Sequence, residues 1–125
     1  FLRNILCVAT QQVRIADSYV DGTIFDNLLD QIPEDVPINL MYGEMQGDFK
    51  ARAKRFGIQY TGFAARSYPV LHDRFLIIDD IGYIIGPSLK DATRNSPALV
   101  VKLGAADSRQ LLRFFDGMWG QAKTL

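Results

Sequence analysis

The chain has one cysteine and one histidine in 125 residues, and each scarcity closes off some chemistry. A lone thiol, Cys7, forms no intramolecular disulfide and cannot build a cysteine-rich zinc site. It lies in an apolar stretch, where burial as a small hydrophobe is expected. No apolar run approaches the ~18 residues that span a bilayer, and no signal-peptide pattern is present, so the expectation is a cytoplasmic protein. Charge of one sign is also missing: fourteen basic residues balance fourteen acidic ones. That balance excludes a global pull toward nucleic acid or membrane and leaves only local patches. A Gly/Ser/Pro-rich linker, an internal repeat and low-complexity tracts are absent too, so residues 1–125 are expected to form a single domain. The chain opens at Phe1 in what reads as a helix already under way, as in a segment of a longer protein.

What is present is an ordinary globular composition, 48% hydrophobic and 22% charged, long enough to bury roughly two-thirds of its unfolded surface. Phe1 to about Gln11 carries Leu2, Ile5, Leu6 and Ala9 at helical spacing. Val13 to Val20 reads as a strand. Thr23 is a plausible N-cap for a helix burying Ile24, Leu28 and Ile32 and stopped near Pro33. Pro37 to Tyr42 reads as a second strand ended by Gly43. Asp48 opens a helix with Phe49, Ala53 and Phe56 on one face, stopped at Gly57. Ile58 to Phe63 alternates as a third strand. Phe75–Ile78 and Gly82–Ile85, separated by Asp79-Asp80-Ile81, read as a hairpin. Ala98 to Leu103 reads as a buried strand. A last helix from about Asp107 carries Leu111, Phe115, Met118, Trp119 and Ala122. This alternation predicts an α/β fold, a mixed sheet flanked by helices on both faces.

The single histidine sits in the most patterned stretch, HDRFLIIDDIGYIIGPS from His72 to Ser88. On an extended strand, His72 and Arg74 share a face about 7 Å apart. The apolar residues that follow predict a strand buried on both faces, with the polar residues at its start facing a cleft. An imidazole beside a guanidinium suits an anionic group. Arginine can hold a phosphate bidentately, and histidine can act as nucleophile or proton carrier near neutral pH.

The spacing H-x-R-x-x-x-x-D from His72 to Asp79, followed by Gly86 and Ser88, resembles the H-x-K-x-x-x-x-D plus G-S motif of the phospholipase D superfamily. More narrowly, it is similar to bacterial phospholipase D-like domains that continue as G-x-S-L-K-D, here Gly86-Pro87-Ser88-Leu89-Lys90-Asp91. Asp17-Ser18-Tyr19-Val20-Asp21 is similar to the D-P-Y-(I/V)-D strand end of those domains. The resemblance implies a phosphodiesterase, in the first instance a nuclease, in which one histidine attacks phosphorus and a second protonates the leaving oxygen. No metal or other cofactor takes part. A single-motif chain then completes its site as a homodimer. The implied catalytic set is His72, Arg74 and Asp79, with Arg74, Ser88 and Lys90 holding substrate phosphate on DNA, RNA or a phospholipid. Two positions depart from the motif: Arg74 replaces the lysine, and Pro87 sets Ser88 one place late.

Plainer roles stand beside these. His72 can be a satisfied surface polar group, Asp79 can cap the hairpin turn, and Arg74 can pair with Asp73 or Asp80. Asp17, Tyr19 and Asp21 can simply order the loop after the first strand. Lys50, Arg52, Lys54 and Arg55 make a charged helix face that is either solvated or set against a phosphate backbone. Trp119 and Phe114 are candidates for a shared dimer surface. Three functions remain open from the sequence: a phosphodiesterase, a non-catalytic phosphate-binding module of the same fold, and an unrelated α/β interaction domain.

Overall fold

In the computed structural model, residues 2–86 and 99–125 are described. Among them, seven strands form one mixed sheet in the order β6-β5-β4-β1-β2-β3-β7. β1 (Val13–Val20), β2 (Ile38–Met45) and β3 (Phe63–Ser67) run parallel, linked by α2 (Thr23–Asn27) with a short 3₁₀ turn (Leu29–Gln31) and by α3 (Phe49–Gln59). Two successive crossovers of one hand that step in one direction along a sheet place their helices on the same face. α2 and α3 therefore join α1 (Leu2–Leu6) over that face, where Leu6, Ile24, Phe25, Phe49 and Phe56 pack on Val13, Ile15, Ile38 and Leu40. β4 (Phe75–Ile78) returns beside β1 in the antiparallel sense and turns into β5 (Ile81–Ile85), which pairs with β6 (Val100–Lys102).

The opposite face is covered by α4 (Ala105–Trp119), whose Phe115 and Met118 pack on Ala16, Met41, Phe75 and Ile77. Helices thus lie on both faces of a mixed sheet, and β4 is buried at all four positions, as its apolar run requires. α4 sits close over β5 because Gly82 has no side chain. A Cβ there would come within 2.9 Å of Leu111, and the buried Ser108 instead accepts the Gly82 N–H at 2.9 Å. No helix among the described residues is long and apolar enough to cross a membrane.

Several boundaries differ from the sequence reading for local reasons. Gly22, not Thr23, holds the N-cap position of α2, and the Asp21 carboxylate accepts the Thr23 N–H at 3.0 Å. β2 runs through Gly43 to Met45. α3 runs through Gly57 to Gln59, which leaves Ile58 82% exposed on the helix surface instead of inside a strand. The third strand accordingly begins only at Phe63. The strand expected from Ala98 is a short edge strand with Val101 exposed. Cys7 is exposed, because it lies beside the inward-facing Leu6 at the end of a single helical turn. β7 (Lys123–Thr124), which pairs with β3, has no counterpart in the sequence reading.

Candidate functional site

The topology brings several chain segments to one edge of the sheet. The C-terminal ends of β1, β2 and β3 share this edge with the start of β4 and the end of β5. The connection from β3 to β4, residues 68–74, must cross the ends of β2 and β1 to reach its place. It is tied down on the way: Tyr68 N–H donates to the Tyr42 carbonyl at 2.8 Å and Leu71 N–H to the Tyr68 carbonyl at 2.9 Å. Gly43 makes room for the crossing. A Cβ there would stand 2.7 Å from the Ser18 carbonyl oxygen and 3.0 Å from that of Leu71. Both neighbours are backbone, so neither can swing aside. Gly43→Ala is expected to lower stability by about 2 kcal/mol, read by chemical denaturation, with a parallel loss of any function housed at this edge.

His72 and Arg74 follow directly, in the irregular residues before β4 rather than on a strand. His72 is exposed and makes no hydrogen bond or ion pair among the described residues. With Asp73 and Arg74 it lines a cleft of about 260 Å³ together with Phe75, Ile84, Ile85, Leu111 and the half-exposed Phe114.

Arg74 is the most constrained member. The β1–β4 register sets Ala16 opposite Phe75, and one further step sets Asp17 opposite Arg74. Asp17 is wholly buried, and its Oδ1 lies 3.6 Å from Arg74 Nε. Arg74 Nη1 donates to the Gly86 carbonyl at 3.4 Å. The arginine therefore pairs with neither Asp73 nor Asp80 but across the sheet, with a carboxylate from the end of β1. Tyr42 and Ser67 continue the same row across β2 and β3. Burial pushes the Tyr42 phenol up, opposed by its hydrogen bond with Ser67, so it stays protonated at neutral pH.

Asp79 is not brought to this cleft. It stands at the other end of β4, roughly 20 Å along the chain from His72 at extended spacing. There it takes a left-handed turn conformation, φ 57°. Its carboxylate accepts the N–H groups of Gln11 at 2.7 Å and of Thr10 and Gln12 at 3.2 Å. Burial alone would raise its pKa, but these backbone hydrogen bonds together outweigh burial and hold the carboxyl below its usual value. Asp79 fastens the β4–β5 turn to the segment entering β1.

The sign of the pH effect follows. A group with a depressed folded pKa contributes stability above its unfolded pKa and loses it as pH falls through the folded value. Asp79→Asn keeps the turn conformation and one acceptor oxygen but loses the charge, and is expected to be about 1–2 kcal/mol less stable at pH 7. Denaturation at a series of pH values should show that gap closing as the pH drops below 3.8, the ordinary aspartate value.

The remaining sequence-derived candidates divide. Ser88 and Lys90 lie outside the described residues. Of the basic residues of α3, Arg52 is engaged within the chain, bonded to Asp26 at 2.6 and 3.0 Å and to the Gly22 carbonyl at 2.7 Å; Lys50, Lys54 and Arg55 are exposed. Trp119 is engaged within the chain, stacked on Phe115 and covered by the Arg66 guanidinium.

No family model and no curated protein matches this sequence; solved structures do match the fold. Nuc from Salmonella typhimurium, a phospholipase D family member, aligns with a TM-score of 0.76 at 16% identity, over 99% of this chain and 88% of its own. NucT from Helicobacter pylori aligns at 0.74 and 15% identity over 99% and 88%. TrmBL2, an archaeal chromatin protein with a novel mode of DNA binding, aligns at 0.67 and 18% identity over 98% of this chain. The present chain spans about half of that protein, 48% of its length. The architecture that carries His72 and Arg74 to one sheet edge is the phospholipase D-like fold.

Proposed function

We propose that the chain is a phosphodiesterase, a metal-independent nuclease that works through a phosphohistidine in a homodimer. The observation that carries this reading is the pairing of an exposed, uncommitted His72 with a charged, anchored Arg74 on one cleft of a phospholipase D-like fold.

His72 attacks the phosphorus, forming an N–P bond as the P–O bond to the leaving group breaks. The partner subunit's His72 gives its proton to the departing oxygen. Water then attacks the phosphohistidine, losing a proton back to that second imidazole, and the N–P bond breaks. Arg74 faces the charge on the non-bridging oxygens. Ser88 and Lys90 are proposed as further phosphate ligands, and Asp79 supports the site by fixing the far end of the β4–β5 hairpin. Nucleic acid is the proposed substrate in preference to phospholipid, since no amphipathic helix among the described residues is set out for a membrane surface.

One observation favours a second reading. The Asp17 carboxylate beneath Arg74 offsets part of the cation's charge, as would suit a module that binds phosphate groups without turning them over. The deciding experiment measures hydrolysis of bis-p-nitrophenyl phosphate in EDTA, wild type against His72→Ala, together with mass in solution. A dimer with His72-dependent turnover is the expected result. Salt-dependent DNA binding without turnover would sustain the second reading in its place.

A further inference from the structure

Arg74 stands where the resembled motif has lysine, and its surroundings give that difference a physical reason. Asp17 is wholly excluded from water, and a buried carboxylate is tolerated only when a cation and hydrogen bonds compensate it. Tyr19 N–H supplies one hydrogen bond to its Oδ1 at 3.1 Å, and Arg74 supplies the cation at 3.6 Å through Nε. That Nε is itself buried, with no hydrogen-bond partner among the described residues. The outer end of the guanidinium is different: the side chain keeps 33% of its exposure and reaches the cleft beside His72. Nη1 rests on the Gly86 carbonyl, and Nη2 has no hydrogen bond among the described residues.

We infer that Asp17 is a positioning residue for the phosphate site, and that its buried carboxylate is what makes the site require arginine. A guanidinium is a planar fork with two usable edges, one to neutralise Asp17 and one to meet a phosphate. An ammonium is a point charge on a flexible stem. Placed here, it would sit on the buried carboxylate, where the low dielectric makes the attraction strongest, and would withdraw from the cleft the charge that Arg74 presents there. The inference rests on the proposed phosphodiester reading and names the residue that sets its cation.

The test compares wild type, Arg74→Lys, Asp17→Asn and the double variant Asp17→Asn/Arg74→Lys. The readouts are EDTA-resistant diester hydrolysis, calorimetric binding of inorganic phosphate and thermal melting. Arg74→Lys is expected to lose about 10- to 100-fold in kcat/KM and in phosphate affinity while melting close to wild type, because the ammonium still neutralises Asp17. The double variant is expected to recover to within about threefold of wild type, a coupling of the kind neighbouring charges show. With the carboxylate gone, nothing holds the ammonium back from the phosphate. A purely structural role for Asp17 predicts no such rescue. An Arg74→Lys variant as active as wild type, or a double variant no better than Arg74→Lys, overturns the inference while leaving the phosphodiester reading standing. A wild-type chain that neither cleaves diester nor binds phosphate overturns both.

Discussion

Replacing His72 by alanine is expected to abolish metal-free diester hydrolysis, by at least about 10³-fold in kcat, because in the proposed mechanism it removes the nucleophile and the general acid together. The same substitution should leave stability within about 0.5 kcal/mol of wild type. His72 is exposed and has no hydrogen bond or ion pair among the described residues, so none of their contacts is lost with it. This separation of activity from stability makes it a cleaner probe than Arg74 or Asp79, both of which are tied into the structure.

The proposed dimeric mechanism adds a stricter form of the same prediction. With one histidine per chain, a mixed dimer of wild type and His72→Ala holds a single imidazole and lacks one of the two roles. When the two proteins are mixed and allowed to exchange subunits, activity should fall as the square of the wild-type fraction. A site complete within one protomer would lose activity only in proportion.

Much of this arrangement was legible in the residues themselves. Hydrophobic alternation located β1 and the β4–β5 hairpin to within a residue, because their apolar runs are bounded by polar turn residues. The α3–β3 boundary was misplaced for an equally physical reason. Ile58 and Tyr60 alternate as a strand would, yet the helix continues past Gly57 to Gln59, its C-cap Tyr60 N–H bonded to the Phe56 carbonyl, and buries Phe56 against Phe25. In the site, H-x-R pointed to His72 and Arg74, but the partner of Arg74 is 57 positions away in sequence and is set by strand pairing that no local pattern records. A signal for it did exist. Asp17 falls two places after Ile15 and four after Val13, on the inward face of β1. A carboxylate in that row needs a cation beside it, and the chain reaches Asp17 with Arg74, the residue just before β4. Asp79 shows the opposite case. Its place in the motif made it a site candidate, while its left-handed turn and three backbone N–H partners give it an anchoring role at the far end of the strand.

Arg74→Met is expected to be the most destabilising single change at this edge. It keeps the unbranched stem and removes the charge that Arg74 sets against the buried Asp17 carboxylate. Breaking a fully buried pair in this way costs about 3–5 kcal/mol; the partial exposure of Arg74, 33%, lets water take up some of the loss, so about 3 kcal/mol is expected. Against a typical total of about 5–15 kcal/mol for a domain, that is a large share, equivalent to a drop in Tm of roughly 10 °C. One further measurement identifies the buried charge as the cause. Adding Asp17→Asn should restore stability to within about 1 kcal/mol at neutral pH, since a neutral pair can replace a buried ion pair at little cost. If the double variant melts as low as Arg74→Met alone, the loss comes from packing around the guanidinium stem and not from the ion pair. The arginine would then be free to serve the phosphate alone.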